Sequence, residues 1–151
     1  MTLNELLQER STSIIDAACE AVARSHVKSY EKEGTAHTHQ KVKALYVLTA
    51  RAVKEKNLGP MIAHVEAVAR ERFSAGYDLW EVQTAINVLE EAIWKHVLHE
   101  LPPTEVGEAL GLVSTVLGAG KDALARRYVS LASKTKAPSL NLQSLFSGNE
   151  P

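Results

Sequence analysis

Apolar residues recur at spacings of three and four through most of the chain, and the clearest such pattern lies between Pro60 and Leu101. Pro60 suits a first helical turn, where a missing N–H leaves no partner unsatisfied. Ile62, Val65, Ala69 and Phe73 continue that helix, and Gly76 supplies the left-handed residue that closes it. Asp78, with Glu81 three residues on, opens the next helix as a capping box. Leu79, Val82, Ile86, Leu89, Ile93 and Val97 form its stripe, and Pro102-Pro103 ends it.

Around this central pair the same pattern predicts three more helices. Thr2-Leu3-Asn4-Glu5 has capping-box form and starts a long first helix, with a break or bend near Ser11-Thr12-Ser13, whose side chains compete for backbone hydrogen bonds. A loop over Glu31 to Thr35 follows. Thr35 then caps a helix carrying Val42, Leu45, Leu48, Ala52 and Val53, which Asn57-Leu58-Gly59 stops. Thr104-Glu105 opens a fifth helix running to about Lys136. Its Leu110, Val113, Leu117, Gly120, Leu124 and Leu131 make a heptad-like seam. Gly107, Gly111, Ser114 and Gly118 make a nearly bare opposite face. Each interior glycine costs about 0.5–1 kcal/mol relative to alanine, so this face suggests the close approach of another helix. From Ala137 onward the composition turns polar and proline-containing, reading as an undocked flexible tail over 137–151 in spite of Leu140, Leu142, Leu145 and Phe146. No stretch alternates as a strand would. The expectation is an all-α, single-domain bundle of about five or six helices over 1–136, with a long C-terminal helix.

Charge and composition then remove several classes of function. Seventeen basic residues stand against eighteen acidic ones, so no global field draws the chain to nucleic acid or an anionic membrane. Cys19 is the only cysteine, which excludes an internal disulfide and a cysteine-built zinc site. No basic-then-apolar leader is present and no apolar run approaches the roughly 20 residues needed to span a bilayer, so the expected location is the cytoplasm.

The chemistry is sparse. The chain has no Gly-rich phosphate loop, no HExxH, no GxSxG and no paired Glu-x-x-His, so it is not expected to be an enzyme. His96 with His99, and His37 with His39, have metal-compatible spacings but no further ligands placed by sequence, and read as surface histidines. His64 lies one residue off the apolar stripe, with Arg70 and Arg72 following. It is open to three readings: a half-buried structural histidine, a contact for a small ligand or partner, or a haem ligand. Trp80, Asn87, Glu91, Trp94 and Leu98 share one narrow arc of the fourth helix, which is either a core edge or an interface.

His64, Arg70, Arg72, Phe73, Gly76-Tyr77-Asp78-Leu79, Glu81-Val82 and the apolar run to Ile93 resemble the N-terminal sensor domain of bacterial stressosome co-antagonist proteins of the RsbR type. The resemblance covers about Leu3 to Leu131. It implies a non-haem, globin-like domain, without cofactor or catalysis, that senses an unknown small ligand or other regulatory proteins. Members are dimers that pass a signal through a long last helix into a following domain, whereas this sequence carries no output domain after its tail. A Leu-Arg pair of the family falls on Leu89-Glu90, so no role for that arginine carries over. The competing readings are a haem-binding globin or globin-coupled oxygen sensor with His64 or His96 as axial ligand, which an absorption spectrum separates, and a metal-binding helical bundle. A homodimer is expected, with Trp80, Asn87, Glu91 and Trp94 of the fourth helix and Gly107, Gly111, Gly118, Leu110, Leu117 and Leu124 of the fifth at its interface.

Overall fold

Thr2 begins the first helix as its neighbours dictate: the Glu5 N–H donates to Thr2 Oγ1 at 3.2 Å and the Thr2 N–H to Glu5 Oε2 at 3.1 Å. The computed structural model describes residues 1–136, with side chains as far as Lys134. Among these residues all regular structure is helical: α1 Leu3–Glu9, α2 Ser11–Arg24, α3 Lys28–Glu33, α4 Thr35–Glu55, α5 Gly59–Ser74, α6 Leu79–Glu100 and α7 Pro103–Lys136. The expectations for Ala137 onward lie outside the described residues.

The expected break near Ser11 is present, at Arg10 between α1 and α2. The first helix is shorter than its pattern implied. It stops at Arg24, His26 turns left-handed at φ 50°, and a further short helix, α3, occupies the stretch expected to close the helix and enter a loop. Thr35 is not a cap. Gly34 holds the N-cap position of α4, and the Thr38 hydroxyl donates to the Gly34 carbonyl one turn on.

Gly76 is left-handed as expected, at φ 86°. A Cβ built there would meet nothing within 4 Å, so the cost of a side chain comes from the backbone alone. Gly76→Val should therefore lower stability by at least about 1 kcal/mol, read as a reduced urea midpoint at unchanged slope.

The core is assembled around α6 and α7. α7 packs along α5 on one side and α6 on the other, α2 covers α6, and α4 crosses between α2 and α7. Leu89, Ile93 and Val97 of α6, Leu117 and Leu124 of α7, Met61 of α5 and Ile14 of α2 are fully enclosed. Polar ties hold the periphery: the Tyr46 hydroxyl donates to the Leu7 carbonyl, and Arg10 Nε reaches Glu100 Oε1 at 2.6 Å. The glycine expectation needs correcting within the chain. Gly107, Gly111 and Gly118 face open space, and the close helix approach is at Gly120, where a Cβ would lie 3.6 Å from Met61 Sδ and Val65 Cγ2. Gly120 had been read as part of the leucine seam, and it is there that α5 comes nearest.

Candidate functional site: a cationic cavity and an exposed aromatic face

Five helices meet around a small, partly open cavity of about 40 Å³. α5 lends His64, Val65, Val68 and Arg72; α4 lends Lys41, Val42 and Leu45; Tyr30 comes from α3, Val82, Ala85 and Ile86 from α6, and Leu124 from α7. The walls are thus largely aliphatic, with Tyr30, Lys41, His64 and Arg72 as the polar groups among them. Arg72 reaches this place because it stands seven residues after Val65 on the same face of α5, where the pattern would put an apolar residue. It is 5% exposed.

The guanidinium is only partly engaged. Arg72 Nη1 bonds Glu71 Oε1 at 2.6 Å, but that carboxylate belongs to a side chain that is 67% exposed. The Tyr77 ring lies with its centroid 5.6 Å from the guanidinium carbon, and Nε has no acceptor within reach. Lys41, in contrast, is compensated: it pairs with Glu33 and donates to the Tyr77 hydroxyl at 3.1 Å. Burial works to raise the Glu33 carboxyl, and hydrogen bonds from Lys41 and Tyr77 outweigh it and hold that carboxyl low. Burial pushes the Tyr30 hydroxyl up, opposed by the charge of Arg72 and by a hydrogen bond between the two side chains, which is a further partner for the guanidinium. His64 is half-buried, and its pKa is lowered first by burial and then by the charge of Arg72, so the imidazole facing the cavity is neutral near pH 7.

Behind the cavity the turn between α5 and α6 is clamped. Tyr30 and Tyr77 meet edge to face at 5.2 Å, and the Tyr128 hydroxyl of α7 donates to the Tyr77 carbonyl at 3.0 Å. Burial raises the Tyr128 pKa to about 12, so this donor keeps its proton. Glu81 accepts from the Asp78 N–H at 2.9 Å, completing the box at the start of α6, and also from the N–H and hydroxyl of Ser29 at 2.9 Å each. One carboxylate therefore caps two helices, since α3 has no side-chain cap of its own.

The other sequence-predicted site residues are dispersed. Arg70 is exposed and does not line the cavity. His96 is bonded through Nδ1 to the Ala92 carbonyl at 3.0 Å, and among the described residues no group of three or more His, Cys, Asp or Glu stands ready to hold a metal. Trp80, Asn87, Glu91 and Trp94 all lie on the exposed face of α6, with Trp80 56% and Trp94 37% exposed, and Leu98 beside them is 51% exposed. Gly107 and Gly111 are exposed on α7, and Gly118 and Leu110 are partly covered. Leu117 and Leu124 are at 0% exposure inside the chain's own core, because α4, α5 and α6 already cover that seam. They do not offer a free surface. Lys41, Tyr30, Tyr77 and Glu33 were missed by sequence reading; Lys41 was findable, four residues before Leu45 on the buried face of α4.

Residues 12–133 match the family model described as RsbT co-antagonist protein rsbRD N-terminal domain. The chain belongs to that family. No curated protein and no solved structure matches it. The match spans α2 to nearly the end of α7, so the cavity and the aromatic face both fall within it. It places the chain among regulatory signalling domains of the stressosome. Among the described residues no helix is long and apolar enough to cross a membrane.

Proposed function

We propose that this domain is a non-catalytic cytoplasmic sensor that works as a homodimer, pairing through the joined outer faces of α6 and α7 and reporting occupancy of its cavity, or contact with a regulatory partner, by movement of those helices. The observation that carries the proposal is the continuity of the exposed face. Lys121 of α7 donates to Asn87 Oδ1 at 3.1 Å and to Glu90 Oε1 at 3.4 Å, which sets the register of two antiparallel helices. That register puts Trp94 level with Ser114, Leu98 level with Leu110, and Trp80 level with Val129, itself 63% exposed. The tryptophans thus flank the bare strip Gly107, Gly111, Ser114 and Gly118, a ridge beside a groove. On this reading the patch pairs with the same patch of a second copy about a two-fold axis, the commonest symmetry of soluble assemblies.

The core leucines of α7 have no part in this interface, so the informative probe is on α6. Sedimentation at micromolar concentration should show a dimer for the parent chain and a folded monomer for Trp94→Glu, because a charge at the centre of the patch stays unpaired when buried. A folded monomer for the parent would remove the dimer from this reading.

A further inference from the structure

Removing a guanidinium from water is costly unless its donors are satisfied, and an unpaired buried N–H costs about 1–3 kcal/mol. Arg72 is buried, the carboxylate it bonds directly sits out at the surface, its other close polar partner is the neutral Tyr30 hydroxyl, and its Nε has no acceptor. The neighbouring charges do not supply one. Lys41 and Glu33 neutralise each other, and Glu81 already accepts three hydrogen bonds from Ser29 and Asp78. The cavity wall therefore holds a buried guanidinium with one unpaired N–H among mainly aliphatic side chains. A hydrated inorganic anion satisfies the first property and not the second.

We propose that this cavity binds a small carboxylate, whose oxygens pair with the Arg72 guanidinium and whose short alkyl part lies against Val65, Val68 and Ile86. A guanidinium edge matches a carboxylate in geometry as well as charge. Size limits the class. A water needs about 10–15 Å³ of such space, so a cavity of about 40 Å³ admits a ligand of roughly three to five non-hydrogen atoms, the range of formate to propionate. His64 sits on the same wall as a neutral imidazole held so by burial and by the charge of Arg72. An anion on Arg72 offsets that charge, so His64 is a built-in reporter of occupancy. This ligand class rests on the sensory reading for its biological meaning and stands on the cavity alone as a binding site.

The test is a titration of the full chain with sodium propionate against sodium chloride at equal ionic strength, following the six histidines by NMR. Propionate should shift the His64 resonances saturably and raise the pH at which that imidazole titrates, leaving His26, His37, His39, His96 and His99 unmoved. Arg72→Met should weaken binding at least about tenfold, as expected for loss of a charged hydrogen bond. Should that variant not fold, Val68→Trp fills the cavity with Arg72 in place and should abolish the shift. No saturable shift in the parent, an equal response to chloride, or unchanged affinity in either folded variant would overturn the carboxylate site. Failure here is separable from failure of the sensory reading, because the sedimentation result depends on the α6–α7 face and not on the cavity.

Discussion

Glu81→Ala is expected to cost about 1–4 kcal/mol, the loss of two helix caps at once, even though Glu81 is an acidic residue near a helix start, a place where such residues are usually exchangeable. The reason is that Glu81 is a buried residue whose carboxylate accepts three hydrogen bonds at once, from the Asp78 N–H, the Ser29 N–H and the Ser29 hydroxyl. Removing it orphans donors at the start of two helices. Ser29→Ala removes one of the three bonds and should cost only about 0.5–1.5 kcal/mol. Burial works to raise the Glu81 carboxyl, and the bonds from Asp78 and Ser29 outweigh it and hold the pKa low. The stability this contributes is present above the unfolded carboxyl pKa and is lost as pH falls through the folded one. Urea midpoints of parent and Glu81→Ala should accordingly converge on acidification. A parallel offset down to the acid transition would show that packing, and not ionisation, makes Glu81 important.

Leu124→Ala should cost about 2–5 kcal/mol, the range for a fully enclosed leucine whose site cannot collapse. Leu124 is at 0% exposure and forms part of the cavity wall, so truncation enlarges a space that is already there. The substitution also separates two roles for the α7 seam. If Leu124 served an interface, the parent's advantage over the variant would grow with protein concentration. For a core residue the loss in the urea midpoint should be the same at low and high concentration, and a concentration-dependent difference would contradict the placement.

Much of the fold was legible because local chemistry and long-range packing agreed. The boxes at Thr2 and Asp78, the left-handed Gly76, the proline in the first turn of α5 and the stripe of α6 all act within a few residues. α3 was not legible for the same reason reversed: six residues, Lys28 to Glu33, with no side-chain cap, are held by Glu81, more than fifty positions away in the chain. The cavity divides in the same manner. His64 and Arg72 stood out as polar residues on or beside an apolar stripe of one helix, and Lys41 could have been found the same way on α4, while Tyr30 and Glu33 joined them through pairings between helices that no local pattern encodes. Leu117 and Leu124 misled as interface candidates because a heptad seam looks the same whether its cover comes from the same chain or from another. Residue type and spacing report that a face is covered, and only the packing of α4, α5 and α6 says by what.

If the domain signals through helix movement, the length of α7 would turn a local event into a distant one. At 34 residues and 1.5 Å per residue the helix is roughly 50 Å long, and about 18 Å of it lies beyond Leu124. A rigid rod pivoting at the cavity wall moves its far end in proportion to that arm, so a tilt of about 5° carries the region of Lys136 through roughly 1.6 Å. That is comparable to the one- to two-ångström helix shifts that switch subunit interfaces. On the proposed sensory reading, a rearrangement no larger than a side-chain rotamer change beside Arg72 would be read out as a backbone displacement at the end of α7.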